Sequence, residues 1–474
     1  MTDLADTGGA RRLRARWVLA ADLVLRTAAH LGGQDEGAAD LNVIRDRVGG
    51  GPLLPGTSLA GALRGHLCDR LGGYASAEAD PRIATLFGAR RAEDGGSQSP
   101  LVVFDSLGRL PAAGTEIRDG VSIDHGTGTA AENKKFDLEI LPAGTRFPAR
   151  IELLIDNGVD EHELVSLLLA ALQGLAGGEI ALGARRSRGL GRVETRVWRA
   201  HRYDLSSADG WLAWLCADPA APIPDDVAGH EDPASACDTA WPALRRRSTP
   251  DQRERVTVVA RLEVQGAVLV RSPADSADAP DVAHLRSGGV GVLPGTSLAG
   301  VLRARALRIL DLLGADGRRD GLVDGLFGWT PQGRAEPGGR SSRLRIAESV
   351  IDGGDPVRQT RIRVDRATQG VARGALFEEE PHAGGELDVR MELRSPRDGE
   401  TGLVLLLLKD LLTGDLPVGG SAAVGRGVVR GSAVVTFPDG STARLEPPEA
   451  EQRARLDAEI RMLAAVAARQ EAAR

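Results

Sequence analysis

The sequence predicts an α+β protein built as two tandem copies of one β-α-β-β-α-β unit. Three observations carry this: a turn-plus-helix segment that occurs twice, a near-constant spacing between four further pairs of landmarks, and strand and helix patterns that alternate within a copy. "LLPGTSLAGALR" (53–64) returns as "VLPGTSLAGVLR" (292–303), which sets Pro55 and Pro294 239 residues apart. "IATLFGAR" (83–90) answers "VDGLFGWT" (323–330), with Phe87 and Phe327 240 apart. "LVVFDS" (101–106) answers "LRIAES" (344–349), and "VSIDHGTGTA" (121–130) answers "IRVDRATQGV" (362–371), which sets Asp124 against Asp365 at 241. "LGARRSRGLGRV" (182–193) answers "VGGSAAVGRGVV" (418–429) at 236. Shared landmarks in one order at nearly constant spacing indicate a duplication.

Within the first copy, "WVLAADLVLRTAAHL" (17–31) starts as a strand, and a Gly/Asp-rich loop leads to the Pro-Gly turn. Thr57 or Ser58 is the expected N-cap of the helix "LAGALRGHLCDRLG". "LVVFDS" and "TRFPARIELLI" (145–155) read as strands. "EHELVSLLLAALQGLAGG" (161–178) reads as a second helix ended by its glycines, and "GRVETRVW" (191–198) as the closing strand. That order, with long insertions, is the split ferredoxin-like plan, which RNA-recognition sheets share. The copies are expected over 15–202 and 254–440. Residues 203–253, rich in Ala, Asp and Pro, read as a linker with some local helix. Residues 446–474 read as a Pro-started C-terminal helix that docks on the body or on a partner.

A chain of 474 residues suits two domains, and 42% hydrophobic with 26% charged residues describes a globular protein. The run "LVLLLLKDLL" (403–412) is far short of the ~20 apolar residues a bilayer span needs. The N-terminal stretch has no apolar signal core, so a cytoplasmic protein is expected. Cys68, Cys216 and Cys237 show no CxxC spacing, which disfavours a disulfide scaffold and a zinc site. The net charge of −7 masks local clusters, because only three lysines occur and arginines gather in "RRLRAR" (11–16), "GARRSRGLGR" (183–192) and "TRIRVDR" (360–366). Phosphates respond to such clusters and not to the whole-chain sum.

Two features suit an anionic polymer. In "LGARRSRGLGRV", Gly183, Gly189 and Gly191 alternate with Arg185, Arg186, Ser187, Arg188 and Arg192, so backbone N–H groups and guanidiniums are expected to cradle phosphates. The second copy keeps Gly419, Gly420 and one arginine in its middle, Arg426. The Pro-Gly-Thr-Ser turn presents hydroxyls and N–H groups at the positive end of a helix. Thr57, Ser58 and Arg64 in one copy, and Thr296, Ser297 and Arg303 in the other, are the candidate contacts.

The order "HLGG…VIRD…LPGTSLAGALR…LFG…IDHGTGTA…LPAGTRF…LGARRSRGLGRV" resembles the RAMP superfamily (repeat-associated mysterious proteins). It looks most like the guide-RNA-binding backbone subunits of type III CRISPR interference complexes, and two units in one chain resemble the fused subunits of type III-D. The resemblance implies modified ferredoxin-like domains with glycine-rich loops. It also implies a β-hairpin thumb in each copy, within 116–147 and 356–386, that wedges the guide–target duplex. Implied partners are the CRISPR guide RNA, complementary target RNA and neighbouring subunits, with no membrane.

The family's target cleavage uses a divalent metal, Mg²⁺ or Mn²⁺, and an aspartate ahead of the Pro-Gly-Thr-Ser turn. That position falls on Asp40. Aligning Asp46 with Ser287 puts Asp281 in the same place in the second copy, with Asp278 as the rival. Such a carboxylate holds the metal or takes a proton, with Arg45, Lys134 and Lys135 as candidate charge partners. Asp124 and Asp365 are expected to fix the thumb base. His30, His66 and His125 have no histidine counterparts in the second copy, which weakens a histidine-based cut. The competing readings are a scaffold subunit without cleavage, a guide-processing endoribonuclease, and a duplicated enzyme of small-molecule metabolism. With 7 Phe, 2 Tyr and 6 Trp there is little to stack bases on, which suits a protein that grips the backbone and leaves sequence to base pairing.

Overall fold

In the computed structural model, residues 12–33, 39–74, 80–89, 98–121, 135–272, 279–315, 319–329, 339–445 and 450–468 are described. The first half contains β1 (Leu13–Leu25), α1 (Gly56–Gly72), α2 (Pro81–Phe87), β2 (Leu101–Val103), β3 (Glu116–Gly120), β4 (Phe136–Ile140), β5 (Arg146–Asp156), α3 (Glu161–Ala176) and β6 (Val193–Asp204). Its sheet runs β2-β5-β1-β6 with antiparallel neighbours throughout, which is the expected ferredoxin-like order. Alternation along β1 sends Ala15, Trp17, Leu19, Ala21 and Leu23 into one core with α1 and α3. The β3–β4 hairpin stands apart from that sheet.

Residues 203–253, expected as a linker, hold α4 (Ala208–Cys216) and α5 (Pro233–Ala240). Asp232 caps α5, and Ala234, Ala236 and Cys237 enter the first core. Trp241 meets Trp17 edge-on at 6.1 Å and stacks on His162 at 4.7 Å. The few apolar residues of this segment are spaced to cover one face of the first half, which its average composition conceals.

The second half contains β7 (Arg255–Gln265), α6 (Gly295–Leu312), α7 (Arg319–Phe327), β8 (Leu344–Ile346), β9 (Gln359–Val364), β10 (Val371–Glu380), β11 (Glu386–Arg394), α8 (Glu400–Leu412), β12 (Val428–Thr436), β13 (Thr442–Leu445) and α9 (Ala450–Ala468). The order β8-β11-β7-β12 repeats the first sheet, and β13 extends its edge. The C-terminal helix α9 docks on the body, where Leu456, Leu463 and Ala467 join the second core. Gly402 permits this approach, since a Cβ there would fall 2.3 Å from the Glu459 carbonyl oxygen.

The doubled Pro-Gly turn has a packing reason. A Cβ on Gly56 would fall 2.1 Å from the Val103 carbonyl oxygen, and one on Gly295 would fall 2.3 Å from that of Ile346. Each glycine lets a helix start against the end of its neighbouring strand. Neither Thr57 nor Ser58 caps α1, contrary to expectation: Pro55 is the N-cap, and the Gly56 N–H donates to Asp105 Oδ1 at 2.7 Å. The capping carboxylate arrives from the link just after β2, 49 residues away, outside the reach of a local sequence pattern.

Candidate nucleic-acid interface and its repeated aspartate

The expected thumbs are antiparallel hairpins, β3 with β4 and β9 with β10. In both halves the loop after the first strand runs past the hairpin base. Asp40 Oδ2 accepts the Asp137 N–H at 2.9 Å, and Asp281 Oδ2 accepts the Glu378 N–H at 2.9 Å. The next residues pair in parallel, Leu41 with Leu138 and Val282 with Glu379. Arg45 ion-pairs with Glu139, and Arg286 with Glu380. Every partner in one half is 241 residues from its counterpart in the other, so Asp281 occupies the Asp40 position. Asp278 lies outside the described residues. Asp365 caps the turn at the tip of its hairpin, accepting from the Ala367 and Thr368 N–H groups, and so does not sit at the base as expected. Asp124, His125 and Lys134 lie outside the described residues.

Both aspartates are exposed. Beside Asp40, Lys135 Nζ lies 3.0 Å from Asp119 Oδ2 and 4.0 Å from Asp137 Oδ1. The hydrogen bond to Asp119 holds the Asp137 carboxyl above its usual range, and the Asp40 charge adds to this. At the second site the Asp119–Asp137 pair becomes Thr360 and Glu378, and Arg358 pairs with Glu378. Among the described residues no group of three or more His, Cys, Asp or Glu is placed to hold a metal ion. One exposed carboxylate still fits Mg²⁺, which keeps several waters and completes its shell with phosphate oxygens.

The two glycine loops share one backbone. Residues 183, 185, 189 and 191 have φ of 84°, 56°, 92° and 77°, and residues 419, 421, 425 and 427 have 82°, 63°, 83° and 79°. Their glycines serve approach to the chain itself: a Cβ on Gly183 would fall 2.2 Å from the His30 carbonyl oxygen, and one on Gly191 1.8 Å from that of Leu182. The expected backbone cradle is not formed by these amides. The N–H groups of Leu182, Ala184 and Gly191 donate to Gly191, His30 and Ala28, and those of Val418, Gly420 and Gly427 to Gly427, Leu269 and Ala267. Ser187 is half-buried within the first loop. The guanidiniums are what this loop offers an anion: Arg186 is exposed, and Arg185 lies 4.4 Å over the Phe136 ring.

The RAMP superfamily model matches residues 22–194 and 262–430, most of both halves. The chain belongs to the RAMP superfamily. No curated protein matches it. RAMP proteins act in CRISPR complexes with RNA and other subunits, so membership points to a CRISPR-associated RNA-binding subunit; some members are RNA endonucleases. Among the described residues no helix is long and apolar enough to cross a membrane.

The two RAMP units treat their expected RNA contacts differently. Thr57, Ser58 and Thr296 are exposed in the first helical turns, whereas Ser297 and Arg64 are half-buried. Arg303 is spent on Asp324 Oδ1 at 2.6 Å and the Gly328 carbonyl at 2.9 Å. Arg426, expected to meet RNA, is buried beneath the second hairpin and donates to Glu379 Oε2 at 2.7 Å and Gln359 Oε1 at 2.8 Å. The first RAMP unit has Leu190 and Leu138 in those two places, so an apolar pair has become a buried ion pair. Arg188 donates to the Phe327 carbonyl at 2.6 Å, which makes the first loop part of the seam between the units. His30 and His66 are buried, and burial above all pushes His66 down to about 4, so neither is offered to a substrate. Sequence reasoning missed Arg118, whose partner Glu348 is 230 residues distant, and the adjacent buried rings of His284 and His382.

Proposed function

We propose that this chain is the double backbone subunit of a type III CRISPR interference complex, of the fused kind resembling type III-D. It binds guide RNA and cleaves complementary target RNA at Asp40 and Asp281 with Mg²⁺ or Mn²⁺. The observation that carries the reading is the recurrence of one exposed aspartate at the base of each hairpin, with the same backbone partner and the same neighbouring Arg–Glu pair.

RNA scission by its own 2′-hydroxyl forms the bond from that oxygen to phosphorus and breaks the bond from phosphorus to O5′. The attacking oxygen must lie in line and lose its proton, and the departing oxygen must be stabilised. A hairpin that splays the target strand supplies alignment, and the aspartate beside it accepts the proton or holds the ion. The metal, when bound, stabilises charge on the phosphate. Arg45 and Lys135 hold the surrounding carboxylates in place through Glu139 and Asp119.

The test is cleavage of labelled target RNA by the guide-bound complex, with Mg²⁺ or Mn²⁺ and with chelator. Wild type is compared with Asp40→Ala and Asp281→Ala. Loss of a different cut in each variant supports two active units. A second reading, a non-catalytic scaffold, is favoured by the hydrogen bond itself, because each carboxylate also clamps its hairpin. Unchanged products in every variant would establish that reading instead.

A further inference from the structure

The first RAMP unit grips the second through its glycine loop and the base of its hairpin. Arg188 donates to the Phe327 carbonyl at 2.6 Å, and a Cβ on Gly189 would fall 2.1 Å from the Glu348 nitrogen. From β3, Arg118 pairs with Glu348, and Glu116 Oε1 accepts the Gly288 N–H at 2.7 Å. The second unit carries the same surface on the same backbone. Its loop turns through Ala422–Val424 as the first turns through Arg186–Arg188. Ahead of the turn Arg185 and Ser421 have φ of 56° and 63°, and after it Gly189 and Gly425 have 92° and 83°. Gly189 is buried in the seam, whereas Gly425 is exposed, and among the described residues a Cβ on it would meet nothing within 4 Å. The second unit thus presents openly the surface that the first unit buries.

The chemistry of that surface differs between the units. Arg186, Ser187 and Arg188 become Ala422, Ala423 and Val424, all exposed, Val424 at 58%. Glu116 becomes Val357, 37% exposed, and Arg118 becomes Gln359, whose Oε1 is turned to Arg426 at 2.8 Å. Three consecutive exposed apolar residues on one turn are a liability in water unless something covers them. RNA does not fit there. Arg185, Arg186, Arg188 and Arg192 of the first loop have become Ser421, Ala422, Val424 and Val428, and the remaining Arg426 is buried on Glu379. A second copy, docked as the first unit docks on the second, does not fit either. It would bring Asp105 where the seam has Glu348, against Gln359 where the seam has Arg118, and so bury a carboxylate without its cation.

We infer that the loop Ser421–Gly425, together with Val357, is a docking surface for a different protein. That partner seats in the manner of the internal seam and offers an apolar face, with no carboxylate opposite Gln359. The inference rests on the reading of this chain as one subunit of an assembly, and it adds to that reading a surface from which both RNA and a copy of the chain are turned away.

The test uses the full chain in its guide-bound complex, with a photo-crosslinking side chain in place of Ala423 or, as control, of the exposed Arg261 that pairs with Glu386. From position 423 the expected crosslink joins a different polypeptide, and from position 261 that polypeptide is not reached. Adding Val424→Asp is expected to reduce this crosslink about tenfold, as charging the centre of a small apolar contact does, and to leave the melting temperature of the free chain unchanged. Sedimentation of the purified chain is expected to show a single copy. A crosslink from 423 to RNA or to a second copy, no crosslink at all, or full retention of the neighbour in Val424→Asp overturns the proposal. A complex that holds the neighbour through 423 but carries no guide RNA supports it and defeats the RNA-binding reading, so the two failures are told apart.

Discussion

Arg118 and Glu348 form a buried, two-pronged ion pair that joins the two RAMP units, at 8% and 6% exposure. Arg118 comes from the first hairpin, and Glu348 stands where the first unit has Asp105, the residue that caps α1. A position that serves its own helix in one unit has been turned to a neighbour in the other. Glu348→Ala leaves a buried guanidinium without its partner and is expected to cost about 3–5 kcal/mol. Denaturant titration checks this. The double change Arg118→Leu with Glu348→Leu is expected to recover most of the loss.

The Arg426–Glu379 pair supplies its own control, because the first unit solves the same packing problem with Leu190 and Leu138. Arg426→Leu alone is expected to destabilise by about 1–3 kcal/mol, since it leaves the buried Glu379 carboxylate with the half-buried Arg361, at 3.2 Å, as its remaining counter-charge. Adding Glu379→Leu is expected to restore wild-type stability or exceed it. The comparison is the unfolding midpoint of the three proteins.

Stability is expected to fall in acid partly through His284. The ring is 3% exposed, and its Nδ1 accepts the Val270 N–H at 3.1 Å. Its place in the first unit is filled by Val43, 241 residues earlier. Burial, reinforced by His382 and Arg286, pushes the imidazole from 6.5 down to about 4. The folded protein therefore binds fewer protons than the unfolded chain between those values. The contribution is whole above 6.5, declines as pH falls toward 4, and is gone below it. The steepest slope from this residue is about 1.4 kcal/mol per pH unit. His284→Val is expected to flatten the loss of stability between pH 7 and pH 5, as read from denaturant midpoints at each pH.

How legible all this was depends on sequence distance. The duplication and the strand order follow from landmarks that occur twice at nearly constant spacing, whereas the sequence leaves Asp278 as the rival of Asp281 and the hydrogen bond to the hairpin singles out Asp281. Alternation marks β1, and α3 is marked by its apolar run between Asp160 and the closing glycines, which is buried on nearly every side. The cap of α1 escapes a local reading because Asp105 arrives from the link after β2, a contact that no local pattern encodes. Glycines at 183 and 191 read as openings for a ligand, yet they make room for the His30 and Leu182 carbonyls. Arg426 read as a surface cation because its partner Glu379 lies 47 residues away in sequence. The packing of 203–253 was hidden by an average composition in which Ala234, Ala236 and Cys237 do not stand out.

The most direct measurement maps target-RNA cuts made by the guide-bound complex carrying Asp40→Asn, Asp281→Asn or both. Asparagine keeps an oxygen for the Asp137 or Glu378 N–H and removes the charge, so the hairpin clamp survives while the chemistry does not. The account predicts that each single variant binds target like wild type and loses its own cut, and that the double variant loses both. A double variant that yields the wild-type cuts would contradict it and assign both aspartates to the clamp alone.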